Sequence, residues 1–183
     1  MALSLHEKTK TTMYLTLERI AETIARVLAL AGGAVLLGIT AMTVVSIIGR
    51  ALVPFDIELG PIRGIYDFTE IGMAAAVFAF LPWAQFKEAH ARVDLFQFAI
   101  PPQMDRFLDL LFNIAMVFVA TIGAWRLYLG MLDKQSYSET TLIAQIPVWQ
   151  GYAGGLVGAV GFALVAAFCV LRAAHRLRVP TND

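Results

Sequence analysis

The chain has 183 residues, 58% of them hydrophobic and 15% charged, with a mean hydropathy of +0.69. That places it outside the usual range of soluble domains. Its 14 basic and 14 acidic residues cancel, and no basic cluster offers a surface for nucleic acid.

Four stretches lack any charged residue: Val27–Gly49, Ile71–Phe86, Leu110–Trp125 and Thr140–Leu171. A helix crosses the roughly 30 Å hydrocarbon core with about 20 apolar residues. In lipid the backbone must satisfy its own hydrogen bonds, and these stretches are too long and continuous for barrel strands. The expected fold is an all-α membrane protein with four transmembrane helices, forming one membrane domain over residues 1–183.

Residues 13–26 precede the first span and read as an amphipathic interfacial helix. Met13, Leu17, Ile20, Ala21 and Ile24 recur at helical spacing, with Thr16, Glu18, Arg19, Glu22, Thr23 and Arg26 opposite. The first span, 27–49, follows and is too long for a cleaved signal core. Arg50 closes it. The connector Ala51–Thr69 carries Pro54, Gly60, Pro61 and Gly64, a turn-rich composition. The second span takes 66–86, because sixteen uncharged residues alone would reach only about 24 Å. Pro82 lies inside it and predicts a static bend. After Pro101 and Pro102 the third span covers 106–126. Pro147 divides the last stretch, so 140–146 is expected as an outer loop and 149–171 as the fourth span.

Basic residues favour the cytoplasmic side. Lys8, Lys10, Arg19, Arg26, Lys87, Arg92, Arg106, Arg172, Arg176 and Arg178 share one side of a four-span chain, against Arg50, Arg63, Arg126 and Lys134 on the other. Both termini are therefore expected in the cytoplasm. Trp83, Trp125 and Trp149 fall near span ends, as membrane-interface indoles do.

The chemistry is sparse. The middles of the spans hold no Asp, Glu, Lys, Arg or His, whereas ion-coupled carriers place such groups there. His6, His90 and His175 all lie away from membrane depth, which argues against haem, and spacing for zinc or calcium is absent. Neither a catalytic site nor a cofactor or metal is expected. Cys169, the single cysteine, reads as a packing residue in an apolar helix. The fourth span carries a face of Gly151, Gly154, Gly155, Gly158 and Gly161. Small residues at this spacing admit another helix, either of this chain or of a partner. Arg50 and Glu70 flank the same connector and can either pair there or stand as two independently hydrated charges.

Four local strings occur in a telling order: Arg50 at the end of the first span, Asp67-Phe68-Thr69-Glu70 at the start of the second, Lys87-Glu88-Ala89-His90-Ala91-Arg92-Val93-Asp94 after it, and Ile146-Pro147-Val148-Trp149 before the fourth. With length and span number they resemble the small membrane subunit of tripartite ATP-independent periplasmic (TRAP) transporters, the DctQ-like proteins, over roughly residues 15–175. Ala89 and Ala91 depart from the family's usual glycine and larger aliphatic.

The resemblance implies an inner-membrane accessory subunit and no enzyme. Its partners would be a large multi-span subunit that moves substrate with sodium, a periplasmic substrate-binding protein, and membrane lipids. The substrate would be an organic acid such as a C4-dicarboxylate. His90, Arg92 and Asp94 would form a structural turn. Pro147, Trp149 and the glycine face would serve structure or the partner interface. Two rival readings are a membrane anchor of a redox enzyme, which would need haem ligands or a quinone pocket, and a stand-alone small exporter, which would need a midplane carboxylate that the spans lack.

Overall fold

The computed structural model describes residues 2–52, 54, 62–88 and 102–178, with side chains from Tyr14 onward except at 102, 103 and 178. Four helices make up the fold: α1 (Ala2–Leu52), α2 (Ile65–Phe86), α3 (Pro102–Ser136) and α4 (Trp149–Arg178). All four are long and apolar enough to cross a membrane. No strand occurs among the described residues, only one isolated bridge between Thr140 and Pro147. The all-α, four-span expectation therefore holds.

The helices are unequal. α4 is central and packs on α1, α2 and α3, while α1 also packs on α2. α1 and α3 occupy the flanks. Their exposed residues are the large ones, Leu30, Leu37 and Ile47 on α1 and Phe112, Phe118 and Val119 on α3. Small residues line the contacts instead: Ala21, Ala25, Ala76, Ala79, Ala120, Ala159, Ala166 and Ala173 are all buried. Apolar burial gives helices little extra drive to associate in lipid, so close backbone approach and dispersion hold such a bundle together. Large side chains left facing outward are in their preferred solvent.

Two ends can be named by their contacts. At the Asp67 end, α2 and α4 start and α1 and α3 finish. At the Glu88 end, α2 and α4 finish beside the first described side chains of α1. The core cluster sits near the Glu88 end. Ala21, Ala25, Phe86, Val165, Phe168 and Cys169 form it, with Tyr14, Ile24 and Trp83 packed around them. Cys169 is a packing residue, 1% exposed.

Residues 13–26 continue directly into the first span, since α1 runs unbroken through Arg26 and Val27. The apolar face assigned to this segment is split. Of that face, Ala21 is buried and Ile24 packs against the core cluster, joined by Ala25 from outside it, whereas Leu17 and Ile20 are exposed. The cause is local. Two alanines four apart let α1 approach Val165 and Phe168, and Tyr14 stacks on His175 at 5.2 Å between ring centres. At 51 residues α1 is about 75 Å long, far more than a bilayer requires.

α2 continues through Pro82, which is fully buried. The missing backbone donor leaves the Phe78 carbonyl without its helical partner, and this is also where Gly158 of α4 comes closest.

Candidate functional site

The glycine face of α4 is the first candidate surface, and the structure assigns it to this chain. A Cβ added at Gly151 would meet Ile71, at Gly154 Ala75, and at Gly155 Phe78. At Gly158 it would lie 2.5 Å from the Phe78 carbonyl carbon and 2.7 Å from the Ala79 nitrogen, both backbone atoms of α2. At Gly161 it would overlap Leu28 of α1. The face that the sequence left open to a partner is thus filled by α2 and α1. The spacing shows that a helix comes close, not which helix. Gly33, Gly38 and Gly123 have nothing within 4 Å and belong to the flanks.

The Asp67 end is built around a short hairpin. Thr141 N–H donates to the Ile146 carbonyl at 2.9 Å and Val148 N–H to the Glu139 carbonyl at 3.0 Å. The Thr141 hydroxyl accepts from Ile146 N–H at 3.1 Å. At the tip, the Asp67 carboxylate accepts two amides, from Ile143 at 3.1 Å and from Ala144 at 2.7 Å. Gly64, with φ of 75°, starts α2 beneath it, and a Cβ there would sit 2.7 Å from the Ala144 Cβ. A side chain would be strained there and would also push the hairpin away. Asp67 is buried and Leu142, beside its two donors, is 92% exposed. The result is a rigid loop with an apolar tip facing outward. Pro147 pairs with Thr140 and its carbonyl accepts from Gln150, so Pro147 and Trp149 set the first turn of α4.

Asp67 was not among the candidates from sequence, although the string that contains it was noted. An acidic residue in the first turn of a span was the available signal. Its partners lie more than seventy residues away, so spacing alone could not find them. The candidates Arg50 and Glu70 behave differently. Both are exposed, and no ion pair joins them. The register explains why. Gly72 lies beside Val35 and Ile39 of α1, so Arg50 stands roughly 14 Å further along the axis than Glu70.

The Glu88 end holds the densest polar cluster. Arg172, whose side chain is 13% exposed, donates to the Phe86 carbonyl at 3.2 Å and to Glu88 at 2.6 Å. Arg176 reaches Glu88 at 3.1 Å. Glu88 has φ of 54°, a left-handed conformation that costs a non-glycine residue about 1 kcal/mol. Two guanidinium partners offset that cost. Lys87 approaches Glu22 at 3.8 Å and lies over the Trp83 ring at 4.8 Å, tying α1 to α2. One layer further in, Gln85 of α2 donates to Asn113 of α3 at 3.0 Å, and the Cys169 thiol lies 3.8 Å from the Gln85 carbonyl. His90, Arg92 and Asp94, the rest of the string that begins here, lie outside the described residues.

What this arrangement can do follows from its parts. Every cluster joins one element of the chain to another. No group of three or more metal-binding side chains occurs among the described residues. The fold and its polar ends define a multi-pass membrane subunit whose side chains are committed to holding helices and a loop in place. The comparison with protein families makes this specific. The description Tripartite ATP-independent periplasmic transporters, DctQ component, matches residues 39–179. The chain belongs to the DctQ family, as the small membrane subunit of a TRAP transporter. Comparisons with curated proteins and with solved structures gave no match.

Proposed function

We propose that this chain scaffolds the large membrane subunit of its transporter and helps dock the periplasmic substrate-binding protein, for sodium-coupled uptake of an organic acid such as a C4-dicarboxylate. The observation that carries the reading is the DctQ match over residues 39–179. The absence of ionisable residues from the middles of the spans supports it, since the coupling sites then belong on another subunit. The chain sits in the inner membrane with both termini in the cytoplasm, as its basic residues favour.

With the glycine face used internally, the large subunit takes a flank, the outer face of α1 or of α3. The Asp67 hairpin, on the periplasmic side in this orientation, is the part offered to the binding protein. His90, Arg92 and Asp94 serve as a structural turn.

Photo-crosslinkers at Leu37 on α1 and Phe118 on α3, introduced in the co-expressed complex, test the flank assignment. Capture of the large subunit from either position is expected. Capture from neither, together with failure to co-purify, would overturn the scaffolding role.

A further inference from the structure

Contacts through the bundle define one level shared by all four helices. Gly155 of α4 faces Phe78 of α2 on one side and Leu127 of α3 on the other. Gly158 meets the backbone of Phe78 and Ala79, and Gly32 of α1 meets Ala76 and Ala79. Gly32, Phe78 and Gly158 therefore stand at nearly the same height along the bundle axis, with Gly155 and Leu127 about one helical turn nearer the Asp67 end.

The residues that bound the apolar stretches do not share heights. At about 1.5 Å per residue, Gly32 is roughly 9 Å from Arg26 and 27 Å from Arg50. On α2, Phe78 is near the middle, about 13 Å from Lys87 and 12 Å from Glu70. On α4, Gly158 is about 21 Å from Arg172 and about 13 Å from Trp149. On α3, Ala124, three residues before Leu127, is about 3 Å from Arg126 and about 22 Å from Asp109. In the order α1, α2, α4, α3, this single level moves from near one membrane surface to the other. That order runs across the bundle from flank to flank, because α1 packs on α2 and α4 whereas α3 packs on α4.

We infer that the bilayer meets this chain along an oblique band, with the bundle inclined more steeply than the roughly 20° average of membrane helices. An upright bundle of this chain would hold Arg126, which is exposed on the outer face of α3, near the bilayer centre, where a charge is expensive. The oblique band places it at the surface. The neighbouring rings agree. Trp125 and Tyr128 are both exposed, lie 6.2 Å apart, and are the residue types of the membrane interface. The inclination also accounts for the overhangs. The turns of α3 beyond Arg126 stand clear of lipid at the Asp67 end, and the turns of α1 before Arg26 stand clear at the Glu88 end.

The test is depth measurement on single cysteines in the full chain, in lipid nanodiscs, with the buried Cys169 changed to serine. Leu30→Cys, Val77→Cys and Leu129→Cys lie within about 8 Å of the level just described and are all exposed. Each is labelled with a small fluorophore and quenched by lipids carrying a spin label either high or deep in the acyl chain. The oblique band predicts that Val77→Cys is quenched best by the deep label, and Leu30→Cys and Leu129→Cys by the shallow one. A second set covers a variant that fails to fold. One level toward the Asp67 end, Leu37→Cys is expected deep, Met73→Cys shallow, and Leu132→Cys open to a membrane-impermeant maleimide. Equal depth within either set would overturn the inference.

Discussion

Replacing Gly158 with alanine should destabilise this chain by itself. The added Cβ would lie 2.5 Å from the Phe78 carbonyl carbon, 2.6 Å from its oxygen and 2.7 Å from the Ala79 nitrogen. Those are backbone atoms of a packed helix, so no rotamer change can make room. An ordinary contact needs about 3.4–3.6 Å, so α2 and α4 must separate locally by close to 1 Å. Overpacking of this kind costs about 1–3 kcal/mol, offset by the roughly 0.5–1 kcal/mol that alanine gains over glycine within a helix. A net loss of about 1–2 kcal/mol is expected, a factor of roughly 5–30 in the folding equilibrium. Gly33→Ala is the control, because nothing lies within 4 Å of it, and it should be neutral or slightly stabilising. Reversible unfolding of the purified chain in mixed micelles, followed by tryptophan fluorescence, reads both. If Gly158→Ala left the isolated chain unchanged but abolished capture of the large subunit, the glycine face would be a partner surface and the packing argument would fail.

The remaining predictions concern the two polar ends. Asp67→Asn should loosen the hairpin, since a neutral amide accepts two N–H groups less strongly than a carboxylate. Hydrogen exchange at Ile143 and Ala144 should quicken severalfold while α2 stays protected, and unchanged exchange would remove Asp67 from the role given to it. Arg172→Leu should cost about 1–3 kcal/mol, because it strips partners from the Phe86 carbonyl and from Glu88. Arg176→Leu, at a more exposed position, should cost under about 1 kcal/mol; equal losses in micelle unfolding would contradict this ranking. A double-mutant cycle on Gln85→Leu and Asn113→Leu should give a coupling of about 0.5–1.5 kcal/mol, and zero coupling would mean the pair does not hold α2 to α3.

Much of this was legible in the chain, for physical reasons that stop at a definite point. Uncharged runs the length of a bilayer demand helices, so four spans followed from Val27–Gly49 and its three counterparts. The glycine spacing at Gly151, Gly154, Gly155 and Gly158 correctly signalled a close approach, yet it could not name the helix approached. Asp67 was visible only as part of a string, because its hydrogen-bond partners belong to the loop before α4, more than seventy residues further on. Residues 13–26 have an amphipathic pattern, but Ala21 and Ala25 carry it onto α4, and periodicity cannot separate a lipid surface from a neighbouring helix. Arg50 and Glu70 stand apart as separately exposed charges, because closeness to the same connector is not closeness along two helices that run in opposite directions.

The central claim is that this chain supports transport without performing it, and reconstituted uptake measures that directly. Liposomes holding the large subunit and this chain, with binding protein and a labelled C4-dicarboxylate outside, should accumulate label under an inward sodium gradient. Those lacking this chain should lose most of that uptake, and those holding this chain alone should show none. Sodium-driven accumulation by this chain alone, or full uptake without it, would contradict the account.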